Sequence, residues 1–179
     1  MDDQQLLQFS RHIMLPDFDV AGQEKLLQAN VLLIGAGGLG SPIALYLGAA
    51  GIGWLTIVDD DEVDTSNLQR QIAHRRSAVG TNKAESAAMA VQAINPSTRV
   101  RALQHRLSEA AMRAEVAQAD LVIDATDNAL SRYVLNGLCW EQRRPLVSGA
   151  AVRWEGQVTV FDARRKSCLL YTSDAADES

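Results

Sequence analysis

The feature that most constrains this chain is Gly35-Ala-Gly-Gly-Leu-Gly40. It lies between the continuous apolar run Val31-Leu-Leu-Ile34 and a stretch of helical character from Leu39 to Ala50, with Pro42 in its first turn. An unbroken apolar run of that length fits a strand covered on both faces. Gly35, Gly37 and Gly40 follow the G-x-G-x-x-G spacing, which lets the chain turn tightly from strand to helix and brings backbone N–H groups up to a ligand. The start of the following helix carries partial positive charge and favours phosphate.

The rest of the chain alternates in the same way. Leu6, Leu7, Phe9, Ile13 and Met14 recur at helical spacing, and a second short helix is predicted over 22–28. After the glycine-loop helix, broken by Gly51 and Gly53, comes the strand Leu55-Thr-Ile-Val58. An Ala-rich helix runs from Thr81 to Ile94 and stops at Asn95-Pro96. Strands are predicted at 99–103, 121–124, 146–148 and 158–161, and helices at 108–117 and 128–141. This order predicts an α/β, Rossmann-like doubly wound fold, with a mainly parallel sheet and helices on both faces. Ligands then bind at the carboxyl ends of the strands.

At 179 residues the chain fits one domain, with residues 1–29 as an N-terminal helical arm and 30–167 as the nucleotide-binding unit. Residues 168–179 are expected to be a sequencing-adapter or cloning scar: Cys168-Leu-Leu-Tyr-Thr-Ser-Asp-Ala-Ala-Asp-Glu178 continues neither a helical nor a strand period. A net charge of −5 without a basic tract speaks against nucleic-acid binding. No apolar run approaches the roughly 20 residues of a membrane span. The acidic start, without an apolar signal core, speaks against secretion, so a cytoplasmic enzyme is expected.

The second strand ends in Asp59, well placed to accept hydrogen bonds from ribose hydroxyls. The glycine fingerprint alone favours NAD over ATP. The long polar segment from Asp59 to Gln71 changes that balance, because it gathers Asn67, Gln69 and Arg70, with Lys83 opening the next helix. A dehydrogenase has little use for Arg and Lys beside the glycine loop, whereas triphosphate chemistry needs charge neutralised around the reacting phosphorus. Taken singly, Arg70 or Lys83 reads better as a solvated surface charge.

Several segments occur together in a specific order: Arg11-His-Ile-Met-Leu15, the glycine loop, Asp59-Asp-Asp61, Ser66-Asn-Leu-Gln-Arg-Gln71, Gly80-Thr-Asn-Lys83, Asp124-Ala-Thr-Asp-Asn128 and Ser148-Gly-Ala-Ala-Val-Arg-Trp-Glu-Gly-Gln157. In these the chain resembles the MoeB/ThiF family, the bacterial relatives of ubiquitin-activating enzymes. The resemblance implies a nucleotide site built from Gly35, Gly37, Gly38, Gly40, Asp59, Asp61, Ser66, Asn67, Leu68, Gln69, Arg70, Lys83, Asp127 and Asn128. Within it, Asp59 would bind the ribose, Asn67, Arg70 and Lys83 the phosphates, and Asp127 a Mg²⁺ ion. Arg11 would reach into a partner subunit's site, which makes the expected active form a homodimer.

The implied reaction is ATP-dependent adenylation of the C-terminal glycine carboxylate of a small ubiquitin-like sulfur carrier, MoaD-like or ThiS-like, in molybdenum-cofactor or thiamine biosynthesis. Arg70, Lys83, Asp127 and Arg11 would carry the catalysis. The alternatives are an NAD(P)-dependent oxidoreductase and an inactive nucleotide-binding fragment. Family members carry paired C-x-x-C motifs for zinc, and neither motif is present here, so no zinc is assigned.

The remaining candidates read as structural. Cys139 lies among Leu135, Leu138 and Trp140 and is expected to be buried and inert. His12 and His74 show no partner in the sequence. His105 groups with Arg101 and Arg106 as solvated surface. Trp54 and Trp154 are expected to pack on the sheet or at a dimer interface.

Overall fold

The computed structural model describes residues 1–165, so the segment from Cys168 onward lies outside the described residues. The chain opens with two short helices, α1 (Asp3–Gln8) and α2 (Ser10–Ile13), followed by α3 (Asp19–Gln28). Asp2 caps α1 in a reciprocal capping box with Gln5. The apolar spacing from Leu6 to Met14 predicts one helix, but the structure breaks it at Phe9. Phe9 turns inward and is buried, whereas Leu6, Leu7 and Met14 face solvent. No shared apolar stripe therefore holds the two pieces in line.

The domain then alternates: β1 (Asn30–Ile34), α4 (Gly40–Ala50), β2 (Trp54–Val58), α5 (Lys83–Ile94), β3 (Arg99–Leu103), α6 (Glu109–Gln118), β4 (Leu121–Asp124), α7 (Ala129–Glu141), β5 (Leu146–Val152) and β6 (Glu155–Phe161). The strands form one six-stranded sheet in the order β3-β2-β1-β4-β5-β6. Every pairing is parallel except that of β5 with β6. Leu33 sits between Ile57 on β2 and Ile123 on β4.

Strand alternation divides the core between two faces. Val31, Leu33, Leu55, Ile57 and Ile123 pack with Ala44 of α4 and Ala84, Ala87 and Val91 of α5. On the other face Leu32, Ile34, Val58, Val122 and Leu146 pack with Val116 of α6 and Leu135 and Leu138 of α7. Each fully buried Leu or Ile contributes on the order of 1.5–3 kcal/mol. This is the doubly wound fold that the alternating pattern predicts.

Asparagines and a serine set the helix starts. Asn82 caps α5, Asn128 caps α7 and Ser108 caps α6. Helix α3 packs against the rest of the fold. Its Gln23 is fully buried and donates to the Ala50 carbonyl at 2.9 Å. His12 Nδ1 lies 2.9 Å from Gln23 Oε1, and its ring stacks on Phe9 and meets Phe18 edge-on, so His12 has the partners its sequence context does not reveal.

The C-terminal strands are longer than their sequence suggests. They close as an antiparallel hairpin in which Val152 faces Glu155, and Arg153 takes a left-handed φ of 56° at the tip. Gly156 and Gln157 carry no strand propensity, so the pairing with β5 must impose the conformation. Trp154 at that tip is fully exposed, which rules out packing on the sheet. Trp54 is half exposed, with the Arg99 guanidinium 4.7 Å above its ring.

Candidate functional site

The sheet order reverses between β1 and β4, and an open cleft of about 1140 Å³ lies beyond the carboxyl ends of the strands there. The glycine loop forms its floor. Gly35 has φ +92°, and a Cβ on Gly40 would lie 1.8 Å from the Gly35 carbonyl oxygen, so both positions require glycine. Gly38 faces Arg70, whose Cδ would be 3.6 Å from a Cβ placed there.

Ala36 anchors this loop. Its amide donates to Asp59 Oδ2 at 2.7 Å, and the other Asp59 oxygen accepts from the Asp61 amide at 2.9 Å. Burial is the main reason the Asp59 carboxyl titrates above the usual range, opposed by these two amides. The Ala36 carbonyl accepts from Ser41 Oγ at 3.2 Å and meets His74 Nε2 at 2.9 Å. His74 Nδ1 is 3.0 Å from Ser86 Oγ. His74 is therefore a buried brace beneath the glycine loop, although the sequence shows it no partner. Burial lowers its pKa and favours the neutral ring.

The cations of this wall differ in their commitments. Lys83, at the start of α5, is 7% exposed and pairs with Asp61 Oδ2 at 2.7 Å. Arg70 is exposed, and its one hydrogen bond to a described residue is long, 3.4 Å to the Ser66 carbonyl. Asn67 lies in the turn Thr65–Asn67 that Asp64 caps, which leads the chain back toward Arg70.

The opposite wall runs from the end of β4 into α7. Asp124 is buried and accepts from Ser148 Oγ, the Thr126 amide, Thr126 Oγ1 and Arg132 Nε at 2.8, 3.0, 2.7 and 3.2 Å. Asp127 is exposed on this wall and makes no hydrogen bond or ion pair with another described residue. The Oδ1 of Asn128 accepts from the Leu130 and Ser131 amides as the α7 cap.

Of the residues expected at the site, Gly35, Gly37, Gly38, Asp59, Asp61, Asn67, Arg70, Lys83, Asp127 and Asn128 line this one cleft. Gly40, Ser66, Leu68, Gln69 and Arg11 do not. Gly40 serves the turn, the Ser66 carbonyl accepts the long hydrogen bond from Arg70, and Arg11 is exposed on α2. Arg106 is exposed, as expected of a solvated patch, and also lines the cleft, while Arg101 pairs with Glu115 on the sheet's edge.

Sequence reasoning missed Gln71 and Arg132. Gln71 is 4% exposed, lines the cleft, and its Oε1 lacks a partner among the described residues. A buried orphan acceptor costs on the order of 1–3 kcal/mol and suits a ligand donor such as a hydroxyl or a metal-bound water. Arg132 gives one signal in the sequence, a cation in the early turns of the helix that follows the strand-end acid Asp124.

The donor set fits a nucleotide with Mg²⁺. Carboxylates are the ligands that ion prefers, and Asp60 and Asp127 both line the cleft with no hydrogen bond or ion pair to a described side chain, Asp127 on the wall opposite the cations. The ligand atoms of Asp59, Asp60 and Asp61 also lie within 4.8 Å of one another, but Asp59 already receives two amides and Asp61 the Lys83 ammonium. Cys139, the only cysteine among the described residues, is buried, and burial together with Asp124 pushes its thiol up to about 12, so it is no nucleophile. No helix among the described residues is long and apolar enough to cross a membrane.

Comparison with known proteins agrees with this geometry. The chain is 47% identical over 163 residues to the adenylyltransferase and sulfurtransferase MOCS3-1 of Zea mays, covering 91% of this chain and 35% of that protein. It is 47% identical over 161 residues to the molybdopterin-synthase adenylyltransferase of Escherichia coli, covering 90% of this chain and 65% of that one. The chain thus spans between about a third and two thirds of these curated relatives. Among solved structures, PaaA superposes with a TM-score of 0.85 at 25% identity, covering 96% of this chain and 55% of that one. The E. coli tRNA N6-threonylcarbamoyladenosine dehydratase TcdA gives 0.78 at 29% identity, covering 85% and 65%. Residues 9–178 match the ThiF family, and the chain belongs to that family.

Proposed function

We propose that this chain carries the adenylation site of an ATP-dependent enzyme that activates the C-terminal glycine carboxylate of a small ubiquitin-like sulfur carrier. The observation that carries this reading is the single cleft that Gly38, Asn67, Arg70, Lys83 and Asp127 together line. The names of the relatives, molybdopterin-synthase adenylyltransferase among them, favour a molybdenum-cofactor carrier over a thiamine one.

The chemistry follows from charge. A carboxylate approaching a polyphosphate meets like charge, and two unit charges 4 Å apart near a protein surface interact by about 4 kcal/mol. Arg70 and Lys83 offset that repulsion and stabilise charge building on the α-phosphate. The N–H groups of the glycine loop hold the phosphates, and Asp59 holds the ribose through the lone pairs its two amides leave free. Asp127 holds Mg²⁺, which when bound supplies further neutralisation of the phosphates. The carrier carboxylate is already ionised at neutral pH, so no general base is needed. Its oxygen bonds to the α-phosphorus as the bond to the bridging oxygen breaks, giving acyl-adenylate and pyrophosphate.

A partner copy completes the site through Arg11, in a cytoplasmic homodimer. A nicotinamide-dependent oxidoreductase retains only the glycine fingerprint in its favour. The test is ATP–pyrophosphate exchange in the presence of a carrier ending in Gly-Gly, alongside binding of ATP–Mg²⁺ and of NAD. Carrier-dependent exchange and preference for ATP support the reading; preference for NAD without exchange sinks it.

A further inference from the structure

The β4–β5 wall holds a polar network to which adenylation as described gives no role. Asp124 takes its four donors at the end of β4, and its side chain is wholly buried. Arg132 also donates from Nη2 to the carbonyls of Thr126 at 3.0 Å and Gly149 at 3.3 Å. Arg132 lines the cleft, yet Asp124 balances its charge, so it is poorly suited to be a phosphate ligand. What this network fixes is a loop. Thr126 is gripped through its amide, its hydroxyl and its carbonyl. Two residues on, Asn128 is fixed as the α7 cap. Asp127 stands between the two anchors, with its own side chain free of any described partner.

We propose that Arg132, braced by Asp124, is the positioning residue of the cleft: it locks the 125–128 loop so that the Asp127 carboxylate is presented in one place. The inference rests on the reading of Asp127 as the Mg²⁺ ligand. A planar guanidinium can reach a carboxylate and two carbonyls at once, whereas a lysine ammonium on its flexible stem cannot hold that spread. Groups that orient a metal ligand from behind commonly matter to metal affinity nearly as much as the ligand itself.

The test uses Mn²⁺ as the probe, with a non-hydrolysable ATP analogue bound to the full chain, in wild type, Arg132→Lys, Ser148→Ala and Asp127→Ala. Arg132→Lys is expected to lower Mn²⁺ affinity roughly 10- to 100-fold, while metal-free affinity for the analogue stays within about threefold, a shift below the worth of one hydrogen bond. Ser148→Ala removes one donor to Asp124 and is expected to cost about fivefold. Faster amide exchange over 125–129 should accompany both. A folded Arg132→Lys protein with wild-type Mn²⁺ affinity overturns the proposal. Should that variant not fold, unchanged Mn²⁺ affinity and exchange in Ser148→Ala overturn it instead. If Asp127→Ala binds Mn²⁺ as wild type does, the Asp127 reading itself has failed and takes this inference with it.

Discussion

The two walls of the cleft are built on opposite principles. On the glycine-loop side Arg70 is exposed with one long hydrogen bond, and the buried Lys83 pairs with an Asp61 side chain that is itself 70% exposed. On the β4–β5 side every polar group of Asp124, Thr126 and Ser148 is satisfied internally. One wall keeps cations ready to exchange their partners for a ligand, and the other supplies fixed geometry. Preorganised polar groups avoid reorganisation when charge moves, and cations that must change partner do best where the competing pair is weak.

That contrast can be broken from either side, and the largest effect is expected at the ligand itself. Asp127→Ala should abolish pyrophosphate exchange while leaving the thermal midpoint near wild type, because this side chain has no described partner to lose. Normal exchange in that variant contradicts the Mg²⁺ assignment. Arg70→Ala should slow the chemical step by roughly 10²–10³-fold, the usual worth of one transition-state donor. If steady-state kinetics show only a raised KM for the carrier, the phosphate role is wrong. Asp124→Ala should lower stability as well as metal affinity and activity. It leaves the Arg132 charge without its partner and should cost about 3–5 kcal/mol of stability, read by chemical denaturation. A loss of activity in that variant without a loss of stability would erase the distinction between the walls.

Much of this arrangement is legible in the chain. Leu121-Val-Ile-Asp124 and Arg99–Leu103 are strands with the same bounds as their sequence pattern, because apolar runs and adjoining Pro and polar turns specify them locally. The glycine loop, Asp59, Arg70, Lys83 and Asp127 meet because the doubly wound topology brings strand ends together. Other features could not be read. The break at Phe9 depends on which of several apolar residues the domain buries. The length of β5 and β6 depends on antiparallel pairing across Arg153. His74 becomes meaningful only through Ala36, and Arg132 only once its reach to Gly149 as well as Asp124 is seen. Long-range polar pairs leave no period in a sequence.

The smallest predicted effect concerns His74. Its folded pKa lies below 6.5, the ordinary value, because burial disfavours the charged ring. The neutral ring therefore contributes stability that is fully present above 6.5 and is lost as pH falls from there through the folded pKa, since the unfolded chain takes up the proton first. His74→Asn should flatten that acid limb in a plot of stability against pH. An unchanged slope would mean that His74 is not held neutral beneath the glycine loop.

Adenylation in this cleft requires a carboxylate oxygen of the carrier to bond to the α-phosphorus of ATP. A carrier labelled with ¹⁸O in its C-terminal carboxylate tests that directly. After turnover and cleavage of the acyl-adenylate at its carbonyl carbon, mass spectrometry of the nucleotide should find one ¹⁸O in AMP, with pyrophosphate as the co-product. Unlabelled AMP, or release of ADP and inorganic phosphate, would contradict the account.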